Sequence, residues 1–330
     1  MPPRSASTPT LIGLDWGTSR LRTMLLDAGG ALIESHESDQ GIRRARGAFP
    51  ETFAAAIAPW RKRHADLPVY ASGMITSRNG WIQTPYLPLP ADARTLAHGL
   101  VRRALPDGGS IAFVPGLRDD SGPYPDVMRG EETEIIGYLV QAASAGEAPA
   151  GEDSAKLLIL PGTHTKWVRI EGERIIGFRT FMTGEIYDVL TRHSILGDLM
   201  PAQDETEDDA IRDHEAFAAG IATGGSRGDD LLASLFSARS RVLCEDLAPK
   251  RIGDYLSGLL IGSEIAQMRA ISREGGDALP SHCTIIGRGD LAARYAHACA
   301  AHDVTARIAA PGAAGAGLAA LHALTNSDGD

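Results

Sequence analysis

The chain has 330 residues, 43% of them hydrophobic and 22% charged, with a formal net charge of -10. This is the composition of a soluble globular protein large enough for two domains, and its acidic balance argues against a broad basic surface for nucleic acid or anionic membranes. No window reaches the roughly eighteen apolar residues of a membrane span, residues 1–9 lack the apolar core of a signal peptide, and the three cysteines lack metal-ligand spacing, so a cytoplasmic protein with reduced thiols is expected.

In chain order, strands are predicted at Leu11 to Trp16, Arg20 to Asp27 and Ala31 to Glu37, followed by a helix from Pro50 to His64 that Pro50 is placed to open. A strand at Val69 to Gly73, a helix from Asp92 to Leu105 capped by Asp92, a strand at Ile111 to Val114 and a helix from Glu131 to Ala143 complete the order βββαβαβα. Ala145 to Ala155, rich in Ala, Gly, Pro and acid without periodicity, reads as a linker, giving domains 1–150 and 151–330. The second half repeats the order with strands at Leu157 to Pro161, Lys166 to Ile170 and Ile175 to Phe181 and helices between Glu185 and Arg273. A strand at Thr284 to Gly287, a helix from Asp290, a strand at Thr305 to Ile308 and a helix from Pro311 follow. Pro201 to Arg212, dense in Asp and Glu, is expected to be a solvated loop.

One turn occurs in both halves. Gly17-Thr18-Ser19-Arg20 and Gly162-Thr163-His164-Thr165-Lys166 each join two apolar, strand-like runs. Glycine lets a ligand approach the backbone, and Thr or Ser adds donors beside exposed N–H groups, which is how polyphosphate is held. Asp15, at the end of the first strand, is the carboxylate expected to hold Mg²⁺ at the phosphates, with a turn-organising Asp as the plainer reading.

A duplicated βββαβαβα unit with a phosphate turn in each copy resembles the actin, hexokinase and Hsp70 class of ATP-using proteins, in which an RNase H-like domain is doubled and nucleotide lies in the cleft between copies. The strings Asp15-Trp16-Gly17-Thr18-Ser19-Arg20, Ala71-Ser72-Gly73-Met74-Ile75-Thr76-Ser77-Arg78-Asn79-Gly80-Trp81, Met128-Arg129-Gly130-Glu131-Glu132-Thr133-Glu134, Pro161-Gly162-Thr163-His164-Thr165-Lys166-Trp167 and Phe181-Met182-Thr183-Gly184-Glu185 resemble those of the 2-dehydro-3-deoxygalactonokinases. They spread over most of Leu11 to Leu196; the last third matches only in a general way. The resemblance implies an α/β fold of two RNase H-like domains and an ATP- and Mg²⁺-dependent transfer of phosphate to O6 of 2-dehydro-3-deoxy-D-galactonate. It leaves a homodimer open.

The resemblance also implies a carboxylate after a Gly at a helix start, usually Asp, to take the hydroxyl proton. Here that position reads Gly130-Glu131-Glu132, with Glu131 the first choice and Glu132 the alternative, since neighbouring helix positions point about 100° apart. Gly17, Thr18, Ser19, Gly162, Thr163 and His164 are the expected phosphate contacts, while Lys166 begins a strand and is expected to reach either phosphate or solvent. Gly287 and Gly289 fit the adenosine site, and the small-residue run Ala310 to Gly317 fits a helix packed near it, close helix packing being the plainer reading. An α-keto acid calls for Arg at its carboxylate and donors at its hydroxyls, which singles out Arg78 with Ser72, Asn79 and Trp81, and Arg20 as a second candidate. Competing readings are a kinase for a related acid such as 2-dehydro-3-deoxygluconate, a polyphosphate or nucleotide hydrolase of the same fold, and a non-enzymatic sugar sensor.

Overall fold

A computed structural model describes residues 8–105, 109–146, 156–201, 211, 213–226, 230–276, 278–287 and 289–327. The acidic stretch 201–212 and the linker 145–155 therefore lie largely outside the described residues.

The first three strands are β1 (Leu11–Trp16), β2 (Leu21–Leu26) and β3 (Leu32–Ser38). They form an antiparallel meander in which Trp16 faces Leu21 across the first turn. On its other side β1 pairs in parallel with β4 (Val69–Ser72), setting Asp15 beside Ser72 at the strands' carboxyl ends. That is the edge where open α/β sheets bind ligands. With β7 (Ser110–Phe113) and β6 (Val101–Ala104) the sheet order is β3-β2-β1-β4-β7-β6. Helix α1 (Phe49–Arg61) buries Phe49, Phe53, Ile57 and Trp60, a stripe at helical spacing, against this sheet's core beside Trp16.

The helix expected from Asp92 to Leu105 is shorter. Asp92 does cap it, accepting from Thr95 N at 2.8 Å, but α2 covers only Ala93–His98. Gly99 ends it, and the following residues become β6, antiparallel to β7. A small sheet in the order β5-β8-β9, with β5 (Tyr86–Pro88), β8 (Gly116–Asp119) and β9 (Asp126–Met128), was not expected from the sequence. β9 leads into α3 (Glu131–Ser144).

The second sheet has the order β12-β11-β10-β13-β14, formed by β10 (Lys156–Leu160), β11 (Thr165–Glu171), β12 (Arg174–Phe181), β13 (His282–Ile285) and β14 (Thr305–Ile308). β10, β13 and β14 are parallel, as β1, β4 and β7 are. Leaving aside the antiparallel edge strand β6 of the first sheet, both sheets run 3-2-1-4-5 in order of appearance, the arrangement of a duplicated RNase H-like fold. The helices of this half are α4 (Thr183–His193), α5 (His214–Ser226), α6 (Leu231–Leu235), α7 (Ser237–Leu243), α8 (Ile252–Glu274) and α9 (Gly289–Ala300). α5 and α8 are packed backbone to backbone: a Cβ on Gly258 would meet Phe217 O at 2.1 Å.

Contacts group the chain into two units, 1–155 with 169–178 and 310–330, and 156–168 with 179–309. The segment 169–178 is held in the first unit by a two-way bridge between Ala91 and Ile175 and by Phe178 N donating to the buried Asp119 carboxylate at 2.8 Å. The last helix, α10 (Ala313–Ser327), packs on α3 in the same unit. The small residues of 310–317 allow this: a Cβ on Gly137 would lie 1.7 Å from Ala313 O, and one on Gly317 2.0 Å from Thr133 O.

Candidate active site

Three backbone segments of the first unit converge at the carboxyl ends of β1 and β4. Gly73, with φ +93°, lies so close to Trp16 that a Cβ would meet its carbonyl oxygen at 2.9 Å. Gly130, with φ +114°, in turn approaches Gly73 Cα, to 3.1 Å for an added Cβ. Only glycine meets both demands, positive φ and no side chain. Around this junction is a cavity of about 180 Å³ lined by Asp15, Gly17, Ser72, Gly73, Met74, Arg129, Gly130, Glu131, Glu134 and Ala314.

Gly130 starts α3 and places three glutamates in its first turn. Glu131 lines the cavity, its Oε2 accepting from Arg129 N at 2.9 Å. Glu132 is fully buried; its Oε2 accepts from Gly130 N at 2.7 Å and its Oε1 from Thr133 Oγ1 at 3.2 Å. Burial, reinforced by the Glu131 charge, pushes its carboxyl up to about 7. Of the two candidate bases, Glu131 is the one at the cavity. Asp15 is half-buried and lines the same cavity, as does Ser72.

The first turn is closed by Gly17 N donating to Arg20 O at 2.9 Å and backed by residues 41–43, whose N–H groups bond the carbonyls of Ser19, Gly17 and Thr18. Among the described residues the N–H groups of Thr18 and Ser19 have no protein acceptor, as an anion nest requires. Arg20 is exposed and stands 4.0 Å from Glu37. Arg78 and Asn79 are exposed, Asn79 accepting from Arg46 at 3.3 Å, and Trp81 packs on Phe53 and Phe113 with Arg103 over its ring. Arg20, Arg78, Asn79 and Trp81 are not among the residues that line the cavity.

In the second unit, the turn Gly162–His164 is built against the start of α4. Glu185 N donates to Thr163 O at 2.9 Å, His164 Nε2 meets Glu185 Oε2 at 2.5 Å, and a Cβ on Gly184 would strike Gly162 O at 2.3 Å. Beneath it lies Glu264 of α8, which accepts from Trp167 Nε1 at 2.6 Å, from Tyr295 OH at 2.8 Å and from Thr183 Oγ1. Its burial pushes the carboxyl up to about 7 against the pull of these donors. Lys166 does not reach solvent: it is buried, with Nζ donating to Thr180 Oγ1 at 2.8 Å. Gly287 and Gly289 are exposed at the start of α9, where Gly287 approaches Pro161.

Sequence reasoning passed over Arg129 and Glu264. Arg129 is inside one of the recognised strings, yet its side chain's destination depends on a fold contact that spacing does not encode. Glu264 lies in a helix whose apolar stripe gives no reason to single out a carboxylate.

The profile of the 2-keto-3-deoxy-galactonokinase family matches residues 15–321. The 2-dehydro-3-deoxygalactonokinase of Escherichia coli K12 is 34% identical over 323 residues, covering 97% of this chain and all of that one. A crystal structure of a candidate 2-dehydro-3-deoxygalactonokinase from Sinorhizobium meliloti superposes with a TM-score of 0.81 at 30% identity, covering 96% of each chain. A carboxylate-bearing helix start, a strand-end Asp and Gly17 of the first turn meet at one cavity. The chain belongs to the 2-keto-3-deoxy-galactonokinase family of ATP-dependent carbohydrate kinases.

Proposed function

We propose that this kinase transfers the γ-phosphate of ATP to the O6 hydroxyl of 2-dehydro-3-deoxy-D-galactonate, giving the 6-phosphate in galactonate breakdown, as a cytoplasmic enzyme. The observation that carries the reading is the single cavity shared by Glu131, Asp15, Ser72 and the Gly17 turn. Glu131 takes the acceptor hydroxyl's proton, its carboxylate aimed by Arg129 N. Glu132 is the scaffold carboxyl, locked by Gly130 N and Thr133 Oγ1 below the surface. Thr18 and Ser19 offer their free N–H groups to phosphate. Gly162, Thr163 and His164 are proposed as phosphate contacts of the second unit, with Gly287 and Gly289 proposed for adenosine. Ser72, at the cavity wall, bonds a substrate hydroxyl.

The cavity suits Mg²⁺. Asp15, Glu131 and Glu134 bring hard oxygen donors to a lining whose only cation is Arg129. Among the described residues they form no metal cage of three or more ligands, and Mg²⁺ in phosphoryl transfer is usually held by one or two carboxylates, water and substrate phosphates. Asp15 would hold it, and the ion would neutralise charge on the phosphates.

The test is ATP turnover with Mg²⁺ over a panel of 2-keto-3-deoxy sugar acids, hexoses and water alone, beside Glu131→Gln and Glu132→Gln. The galactonate-derived acid should stimulate ADP formation, and Glu131→Gln should lower kcat by about 10²–10⁴ while ATP still binds. Full rate in water alone points to the hydrolase alternative. A higher kcat/KM for the gluconate-derived acid reassigns the substrate.

A further inference from the structure

Arg129 is 9% exposed, and among the described residues no carboxylate comes within ion-pair distance of it. Its guanidinium is instead given over to neutral acceptors. Nη1 donates to Thr76 O and Thr76 Oγ1, both at 2.7 Å, and to Thr84 Oγ1; Nη2 donates to Thr84 O at 3.2 Å. Nε donates to Tyr86 OH at 3.4 Å, and the guanidinium carbon lies 4.2 Å from the centre of the Tyr86 ring. A buried cation is costly unless its donors are satisfied, so this set of partners is a built site for this one side chain.

Its acceptors are the two ends of one loop. Thr84 N donates to Thr76 O at 3.0 Å and closes residues 76–84 into a ring, and Trp81 N ties it back to Ile75 O, the residue before it. Arg129 seals that closure from the side of the cavity it lines. The loop's root, Ser72 to Met74, forms part of the cavity wall, and the main chain of Arg129 holds Glu131 Oε2. A single residue thereby joins the wall to the carboxylate opposite it. With most of its N–H groups spent on the loop, its work is on protein.

We propose that Arg129 is a positioning residue for the sugar acid: by clamping the ends of the 76–84 loop it fixes the cavity wall at Ser72 to Met74 relative to Glu131. The proposal rests on the function given above. It separates the two substrates, since the Arg129 side chain bonds Thr76, Thr84 and Tyr86 and no residue of the Gly17 or Gly162 turns.

The experiment is steady-state kinetics of the full chain with Arg129→Ala, Arg129→Lys and Thr84→Val, varying sugar acid and ATP in turn. Arg129→Ala should raise KM for the sugar acid about tenfold or more, with KM for ATP within about twofold. Millimolar guanidinium ion should lower the raised KM of Arg129→Ala and leave the wild type unchanged, whereas equal sodium chloride should do neither. Arg129→Lys, a point charge without the fork, should recover only part of the loss. Thr84→Val keeps the arginine and removes one acceptor, and should raise the same KM about threefold; it decides the matter if Arg129→Ala does not fold. An unchanged sugar-acid KM in Thr84→Val and in any folded Arg129→Ala overturns the proposal. So does an equal rise for both substrates without guanidinium rescue, which is the behaviour of a general staple. A wild type that turns over no 2-keto-3-deoxy acid overturns the functional reading instead, so the two failures are distinguishable.

Discussion

Replacing Glu264 with Gln should remove a loss of stability that the wild-type protein undergoes as pH rises through neutrality. Glu264 is 2% exposed and is held by Trp167 Nε1, Tyr295 OH and Thr183 Oγ1. Desolvation nevertheless dominates and moves its carboxyl from 4.5 to about 7. The folded state therefore holds this proton more tightly than the unfolded chain does. Its contribution is fully present below 4.5 and is lost as pH rises through about 7, where a charge must be carried in the interior. A gap of about 2.5 between the two pKa values corresponds to about 3 kcal/mol. The assay is urea unfolding of both proteins at pH 5 and pH 8, followed by tryptophan fluorescence, which the Trp167 contact makes sensitive to this region. The stability of Glu264→Gln relative to wild type should rise by about 2.5 kcal/mol between the two pH values, since at pH 5 the unfolded carboxyl is already partly ionised. Glu132 is raised to about 7 as well, but it is present in both proteins and cancels in the difference. A difference that stays constant within about 1 kcal/mol, or changes in the opposite direction, refutes the reasoning.

Gly184→Ala would set a Cβ 2.3 Å from Gly162 O, so the turn proposed to hold phosphate in the second unit must shift. KM for ATP should rise about tenfold in steady-state kinetics, with the sugar-acid KM nearly unchanged. Gly317→Ala would put a Cβ 2.0 Å from Thr133 O, rigid backbone in α3, and should cost roughly 2–3 kcal/mol in chemical unfolding, with a melting temperature lower by several degrees. Asp119→Ala strips the acceptor from Phe178 N and Ser121 N, both at 2.8 Å. It should cost about 2–4 kcal/mol and speed hydrogen exchange at the Phe178 amide, while Asp119→Asn, which keeps one acceptor oxygen, should do less of both.

The larger elements were legible because their signals are long. α1 shows its stripe at Phe49, Phe53, Ile57 and Trp60, and the strands that precede Gly17 and Gly162 are largely apolar. β5, β8 and β9 were not legible: strands of three or four residues, one ending in proline, fall below any periodicity. The Asp92 cap was readable, but the apolar residues that seemed to prolong its helix belong to β6, whose pairing with β7 outweighs local propensity. At the site, the glutamate doublet and the glycine before it could be read from type and position. What separates Glu131 from Glu132 is burial, which local sequence does not encode. The partners of Arg129 are some 45 and 53 residues away in sequence and leave no trace in local composition.

The placement of α10 bears on how the protein is made. Its glycines seat against Thr133 and Gly30 in the first unit, whose other segments are 1–155 and 169–178. A ribosome makes α10 after every other element of that unit, so the unit that carries Asp15 and Glu131 lacks one of its packing helices until α10 has emerged. The candidate catalytic half should thus settle only once the second unit has been synthesised, and a stop codon just before Ala313 should leave a chain with both glutamates in its sequence and no settled α3 to present them.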